Sequence, residues 1–148
     1  MSRRSGFSLA ELMVILAVIG SLFSLSLPSF LRYYNSAQVR AAAAEVAAYL
    51  NQGRQMAIQR NGNTCVHIMP TTLHYHLGTC AAGAVWLGPG TDAAGEIRVP
   101  AGITMATTAN PVFNNLGATA PAATITVAQG SSSLHVTVSA SGRVTVAP

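Results

Sequence analysis

The carboxylate of Glu11 stands at the head of positions 12–31, a stretch without a single charged residue. A charge in such surroundings is costly unless a partner answers it. One partner is local: Ser8-Leu9-Ala10-Glu11 has the capping-box spacing, in which serine and glutamate each satisfy a backbone donor at a helix start. That reading leaves Ser5-Gly6-Phe7, just before it, without a role. Cleavage after Gly6 gives them one. It makes Phe7 the new terminus, with an α-amino group of ordinary pKa about 8 four residues from the carboxylate. The partner expected for Glu11 is then the terminal amine of a neighbouring subunit.

Three other sets of residues have types suited to chemistry. Cys65 and Cys80 are the two cysteines, and a single pair in a soluble region fits a disulfide formed in an oxidising compartment; a reduced, unpaired state stays open. Cys65-Val66-His67 and His74-Tyr75-His76 alternate ligand types with strand periodicity, and His135 is the remaining histidine. The same alternation arises on any solvated strand face, no zinc spacing is present, and a disulfide removes Cys65, so no metal is expected. Catalysis is not expected either. Beyond Glu11 the carboxylates are Glu45, Asp92 and Glu96, and no nucleophile and base are paired.

The elements that position these residues are read from composition and periodicity. Charged residues are 8% of the 148 positions and mean hydropathy is +0.40. The twenty residues 12–31 are long enough to cross a bilayer core of about 30 Å. A signal peptide would have a shorter core and a cleavage site beyond it. Arg3 and Arg4 favour an N-inside orientation, which Arg32 and Arg40 weaken. Val39, Ala43, Val46, Leu50, Gly53 and Ala57 continue as one helical stripe, with Arg40, Arg54, Gln55 and Gln59 off it. Asn61-Gly62 ends the helix after Arg60, and Pro28 predicts a bend. Tyr33 and Tyr34 suit a membrane interface, and Trp86 suits a core.

After Gly62 the pattern becomes short β-rich runs: TCVHIM, LHYHL, AVWL, EIRV, ITMATT, VFNNL, TITVA, SLHVTV and GRVTV. The last two form an expected hairpin through Ala140-Ser141-Gly142, and Ser131-Ser132-Ser133 reads as a turn. The expected fold is α+β: a long N-terminal transmembrane helix packed on a small antiparallel β-rich head. Its parts are a leader at 1–6, a membrane segment at 7–31, an amphipathic segment at 32–61 and the head at 62–148. So small a sheet needs the helix stripe as packing partner.

Gly6-Phe7-Ser8-Leu9-Ala10-Glu11-Leu12-Met13 resembles the type III signal of type IV pilins and type II secretion pseudopilins. Arg54-Gln55-Met56-Ala57-Ile58-Gln59-Arg60-Asn61, Val112-Phe113-Asn114 through Gly117, and Val138-Ser139-Ala140-Ser141-Gly142-Arg143-Val144 are similar to segments of the GspH/FimT branch of minor pilins. Together they cover most of the chain. The resemblance implies cleavage by a prepilin peptidase, methylation of Phe7, a docking role for Glu11 and a helix proline at Pro28. It also implies an inner-membrane precursor with its N-terminus in the cytoplasm and its head in the periplasm, which an assembly platform adds to a fibre of major and minor subunits. No cofactor is implied. Membrane lipid is a further expected partner.

DNA is the rival partner. Some proteins of that branch take up DNA through a Gly-Arg-x-Arg element, and Gly142-Arg143-Val144-Thr145 keeps the first arginine only. Without the leader, six arginines face four acids, a side-chain charge of +2 that attracts phosphates weakly. Arg143 is therefore read as a solvated hairpin residue. A minor pilin of a type IV pilus is the reading carried forward, with a type II secretion pseudopilin as the alternative and a DNA-binding pilin as the second.

Overall fold

The computed structural model of the protein describes residues 8–147, with the side chains at 25–28 outside the description. It contains one α-helix and nine strands among those residues. The chain divides into two units, residues 1–34 and 35–148.

The helix, α1, is Leu9–Gln59. Ser8 is its N-cap residue, and its carbonyl accepts the amides of Glu11 (3.1 Å) and Leu12 (3.2 Å). The other end closes as the Asn61-Gly62 signal requires. Asn61 takes the left-handed conformation (φ 50°), its amide bonds the Ile58 carbonyl, and the Gly62 amide reaches back to Ala57 at 3.1 Å. This is the Schellman arrangement, in which a left-handed residue lets the last carbonyls find donors. Pro28 lies among the residues whose side chains are not described, so the expected bend has no side-chain account here.

In the second unit the strands are β1 (Thr64–Ile68), β2 (Thr72–Leu77), β3 (Ala84–Val85), β4 (Glu96–Arg98), β5 (Thr104–Thr107), β6 (Val112–Phe113), β7 (Ala123–Gln129), β8 (Ser132–Val138) and β9 (Val144–Ala147). Each falls within, or overlaps, one of the nine β-rich runs. They build two antiparallel sheets. The first has the order β3-β2-β1-β6, with β4 also paired to β2 beside β3; the second has the order β5-β7-β8-β9. The expected terminal hairpin is β8–β9, with Val138 opposite Val144. The preceding turn is tighter than expected: Gln129 pairs with Ser132, so only Gly130 and Ser131 make the turn and Ser132 already belongs to β8.

One apolar cluster joins the helix stripe to both sheets. Val39, Ala43, Val46, Leu50 and Ala57 are at most 1% exposed, and Ala42 joins them. They pack with Val66, Leu73 and Tyr75 of the first sheet and Ile125, Val127, Val136 and Val138 of the second. Gly53 is the point of nearest approach, because a Cβ there would lie 2.7 Å from Val66 Cγ2 and 3.3 Å from the Tyr75 ring. Tyr75 is wholly buried, so its hydroxyl needs a partner; it donates to the Tyr49 carbonyl at 2.8 Å. Trp86 meets Tyr75 edge-on at 5.7 Å, as its core assignment anticipates.

Cys65 and Cys80 are joined by a disulfide, with Cα atoms 5.3 Å apart. The bond ties β1 to the loop after β2, because Cys80 lies beyond the end of β2 at Leu77. Closing a loop of that size contributes about 3 kcal/mol in the chain-entropy model. Replacing both cysteines by serine should therefore lower the melting temperature of the protein by on the order of 10 °C, read by circular dichroism. An unchanged transition would show that the loop is held by its other contacts.

Candidate functional site

Two regions carry the residues singled out by the sequence. The first is the start of α1. Gly6 and Phe7 lie outside the described residues. Glu11 occupies the third helical position after Ser8, as the capping box demands, and its side chain is exposed. Among the described residues no ion pair engages it. The apolar side chains after it are exposed in every direction around the helix: Leu12, Met13, Val14, Leu16, Val18 and Phe23 all keep half or more of their surface. A helix that is apolar all round belongs in lipid or among other helices. By length and composition no single helix among the described residues qualifies as a membrane span, whereas Leu9–Ser24 and Ser29–Gln59 qualify as a pair.

The second region is in the head, where three sequence segments far apart in the chain meet. Arg54, off the helix stripe but half-buried, lies under the turn that ends at Gly117. A Cβ on Gly117 would come within 2.7 Å of Arg54 Nε and 3.0 Å of Ile58 Cδ1. Gly142 in turn lies on Gly117, so closely that a Cβ would strike the Gly117 carbonyl. Both glycines have positive φ, 78° and 76°, which only glycine adopts cheaply. Asn115 donates to the Asn61 carboxamide at 2.9 Å, and the Thr119 amide bonds the Ala140 carbonyl at 2.9 Å. The helix end, the loop after β6 and the β8–β9 turn are thus locked together. Strand and helix periodicity gave no sign of this junction, since glycines carry no hydropathy signal; its residues lie in the three segments similar to the GspH/FimT branch, which do not by themselves say that they meet.

The third set of residues is also brought together. Register pairs Cys65 with His76 and His67 with His74, which puts all four on one face of β1 and β2. The rings of His67, His74 and His76 form a triangle with centroids 5.7–6.2 Å apart. Cys65 is in the disulfide, so it is not a member. His76 Nδ1 is 3.1 Å from the Gly83 carbonyl, and His74 Nε2 is 3.8 Å from the Glu96 carboxylate. Burial, and then the nearby His76 and His74, hold the His67 pKa below the ordinary 6.5. Among the described residues no group of three or more His, Cys, Asp or Glu side chains has the geometry to hold a metal ion. His135 is on the other sheet, bonded to Thr126 at 3.1 Å.

Arg143 is exposed on the β8–β9 turn. Arg98 is paired with Asp92 and Glu96, and Arg54 is half-buried under glycines.

Comparison with known proteins gives these findings. The family described as Type II transport protein GspH matches residues 42–142, and the prokaryotic N-terminal methylation motif matches residues 1–27. A fimbrial protein of Pseudomonas aeruginosa is 32% identical over 78 residues, 53% of this chain and 50% of that protein. The chain thus matches about half the length of that curated relative. The fold is similar to that of the Pseudomonas aeruginosa type IV minor pilin FimU, at TM-score 0.60 and 17% identity, covering 76% of this chain and 90% of that one. It is equally similar to the minor pseudopilin EpsH of the Vibrio cholerae type II secretion system, at TM-score 0.60 and 13% identity, covering 76% and 94%.

Two outcomes are expected. Gly142→Ala should cost at least about 2 kcal/mol, because a left-handed backbone and a collision with Gly117 act together. Gly90→Ala, at a similar φ of 88° but with open space around it, should cost only about half as much. Chemical denaturation of the two variants compares them. Second, a histidine whose folded pKa is lowered binds its proton more readily unfolded, so stability is complete above the ordinary 6.5 and is lost as pH falls from there through the lowered folded value. The melting temperature should drop between neutral pH and mildly acid pH, and His67→Gln should shrink that drop.

Proposed function

Because the chain belongs to the GspH family of type II transport proteins and carries the prokaryotic N-terminal methylation motif, we propose that it is a minor pilin of a type IV pilus. The family is one of structural, non-enzymatic pilins and pseudopilins that assemble with one another. In the proposed cycle a prepilin peptidase cleaves after Gly6 and Phe7 becomes the methylated terminus. The helix then leaves the inner membrane for the fibre through the assembly platform. The N-terminus begins in the cytoplasm and the head in the periplasm.

One observation carries this reading: around Glu11 the helix exposes apolar side chains on every face. Such a surface is stable only in lipid or against other helices, and passage from the one to the other is what fibre assembly requires. Within a helix bundle the dielectric is low, so an unanswered Glu11 would be heavily penalised and a neighbour's terminal amine would relieve it. The likeness to a curated fimbrial protein favours the pilus. The description of the family and the likeness of fold to EpsH favour a second reading, a minor pseudopilin of a type II secretion system. Deleting the gene separates the two, since loss of piliation marks the first and loss of protein secretion the second.

The protein isolated from its host should begin at a methylated Phe7 by mass spectrometry. Glu11→Ala should be cleaved and inserted normally but enter filaments at least about tenfold less than the wild type, because a buried pair broken on one side costs several kcal/mol. A chain that still begins at Met1 and never fractionates with filament subunits would overturn the assignment.

A further inference from the structure

The two ends of the second sheet differ in what meets them, and register settles which backbone groups face outward. The Ser139 amide donates to the Arg143 carbonyl at 3.0 Å. Thr137 is opposite Thr145 and His135 opposite Ala147, so alternation turns the Arg143 carbonyl and the amides and carbonyls of Thr145 and Ala147 toward β8. Those of Val144 and Val146 therefore point away from the sheet. At the opposite end the outer edge of β5 is engaged, since the Met105 amide donates to the Pro70 carbonyl at 2.8 Å. Among the described residues nothing bonds the outward groups of Val144 and Val146.

Open edges are usually blunted by a charge, a proline or a bulge. Val144-Thr145-Val146-Ala147 has none of these, because its residues are uncharged and its register with β8 is unbroken. Its side chains add an apolar margin. Val144 and Val146 stand opposite Val138 and Val136, and so on the same face of the sheet. Val138 and Val136 are wholly buried, whereas Val146 is 46% exposed. The apolar face thus continues to the edge of the sheet, where Val146 remains open.

Another strand fits such an edge, and the register selects a second β9. In an antiparallel pair the outward residues of one strand must face outward residues of the other. Val144 opposite Val146 of a second copy meets that condition for the amide and the carbonyl of both residues in both copies, about a two-fold axis at Thr145. Shifted registers fail. With Val144 opposite itself, Val146 would face Gly142, whose amide already bonds the Ser139 carbonyl at 2.7 Å. With Val146 opposite itself, Val144 would face Pro148, which has no amide proton. The matching register also keeps like charges apart, because Arg143 falls opposite Ala147 and not opposite its own copy. We propose that a second copy of this chain pairs antiparallel with the free edge of β9 in this register, joining two four-stranded sheets into one. Val144 of each copy then lies beside Val146 of the other on the apolar face. The pairing asks nothing of residues 1–34 and does not rest on the pilus reading.

The test is self-cross-linking of the full chain in detergent under mild oxidation, read on gels without reductant. Thr145 would face its own copy as a non-hydrogen-bonded pair with Cα atoms about 4.5 Å apart, inside the range that a disulfide spans. Thr145→Cys should therefore give a dimer, and peptide mapping should place the bond between the two copies of position 145. Thr104→Cys, exposed on β5 of the same sheet, should stay monomeric. Arg143→Cys alone should also stay monomeric, because its two copies would be roughly 14 Å apart along the strands, but mixed with Ala147→Cys it should cross-link. Val146→Pro removes an outward amide and leaves the β8 ladder whole. In the Thr145→Cys background it should slow cross-linking about tenfold, the loss expected when that amide is absent from both copies. Should Val146→Pro fail to fold, shown by its melting temperature, the Arg143 and Ala147 mixture decides in its place. No dimer from Thr145→Cys overturns the proposal. Equal cross-linking by Thr104→Cys does so too, since sharing a micelle would then be enough. Repeated in host membranes, a bond from position 145 to a different protein and none between copies overturns self-pairing as well.

Discussion

The close approach of α1 to β1 and β2 at Gly53 is the contact on which the head depends. With hydrogen in place of a side chain there, Val66 and the Tyr75 ring can lie directly against the helix. Tyr75 then reaches past the surface of the helix to the Tyr49 carbonyl, and Trp86 closes on Tyr75 from the other side. Both sheets take their cover from the one apolar cluster they share with the helix stripe. The first has five short strands and the second four, and open sheets of that size need another layer on their apolar side. The stripe from Val39 to Ala57 supplies that cover, and its small residues, Ala42, Ala43, Gly53 and Ala57, keep the distance short.

The same helix has a different task at its start. Where the head covers it, apolar residues fall on one stripe. In the first unit they occur all round, and among the described residues they are exposed. On the proposed reading, a subunit that moves from bilayer to fibre depends on that surface. On the same reading Glu11 gives direction to an otherwise greasy contact, because only a positioned cation can relieve a carboxylate there. In the head, the glycine junction of Arg54, Gly117 and Gly142 holds the helix end, the loop after β6 and the β8–β9 turn together.

The far side of β1 and β2 shows how a polar face is managed in so small a head. Alternation puts Cys65, His67, His74 and His76 on it, and Cys65 is spent in a disulfide that pins the next loop. The three imidazoles remain within about 6 Å of one another, with Glu96 the carboxylate beside them. Burial, and then the nearby His76 and His74, hold the His67 pKa below its ordinary value, so protonation of His67 is disfavoured in the folded head.

Patterns with a short period were legible in the sequence. The helix stripe, the Asn61-Gly62 stop and the nine β-rich runs follow from side-chain spacing and turn chemistry, and so does the hairpin through Gly142, because each is a local preference of a few consecutive residues. The resemblance of the first residues to a processing signal fixed the family before any coordinate. What the sequence alone did not determine was which distant segments touch. That Cys65 bonds to a loop and not a strand, that two separate glycines stack over Arg54, that three histidines form a triangle, and that β9 is left with a free edge all depend on sheet order and register. These are set by how the strands share one core, a property of the whole packed chain that no window of neighbouring residues contains.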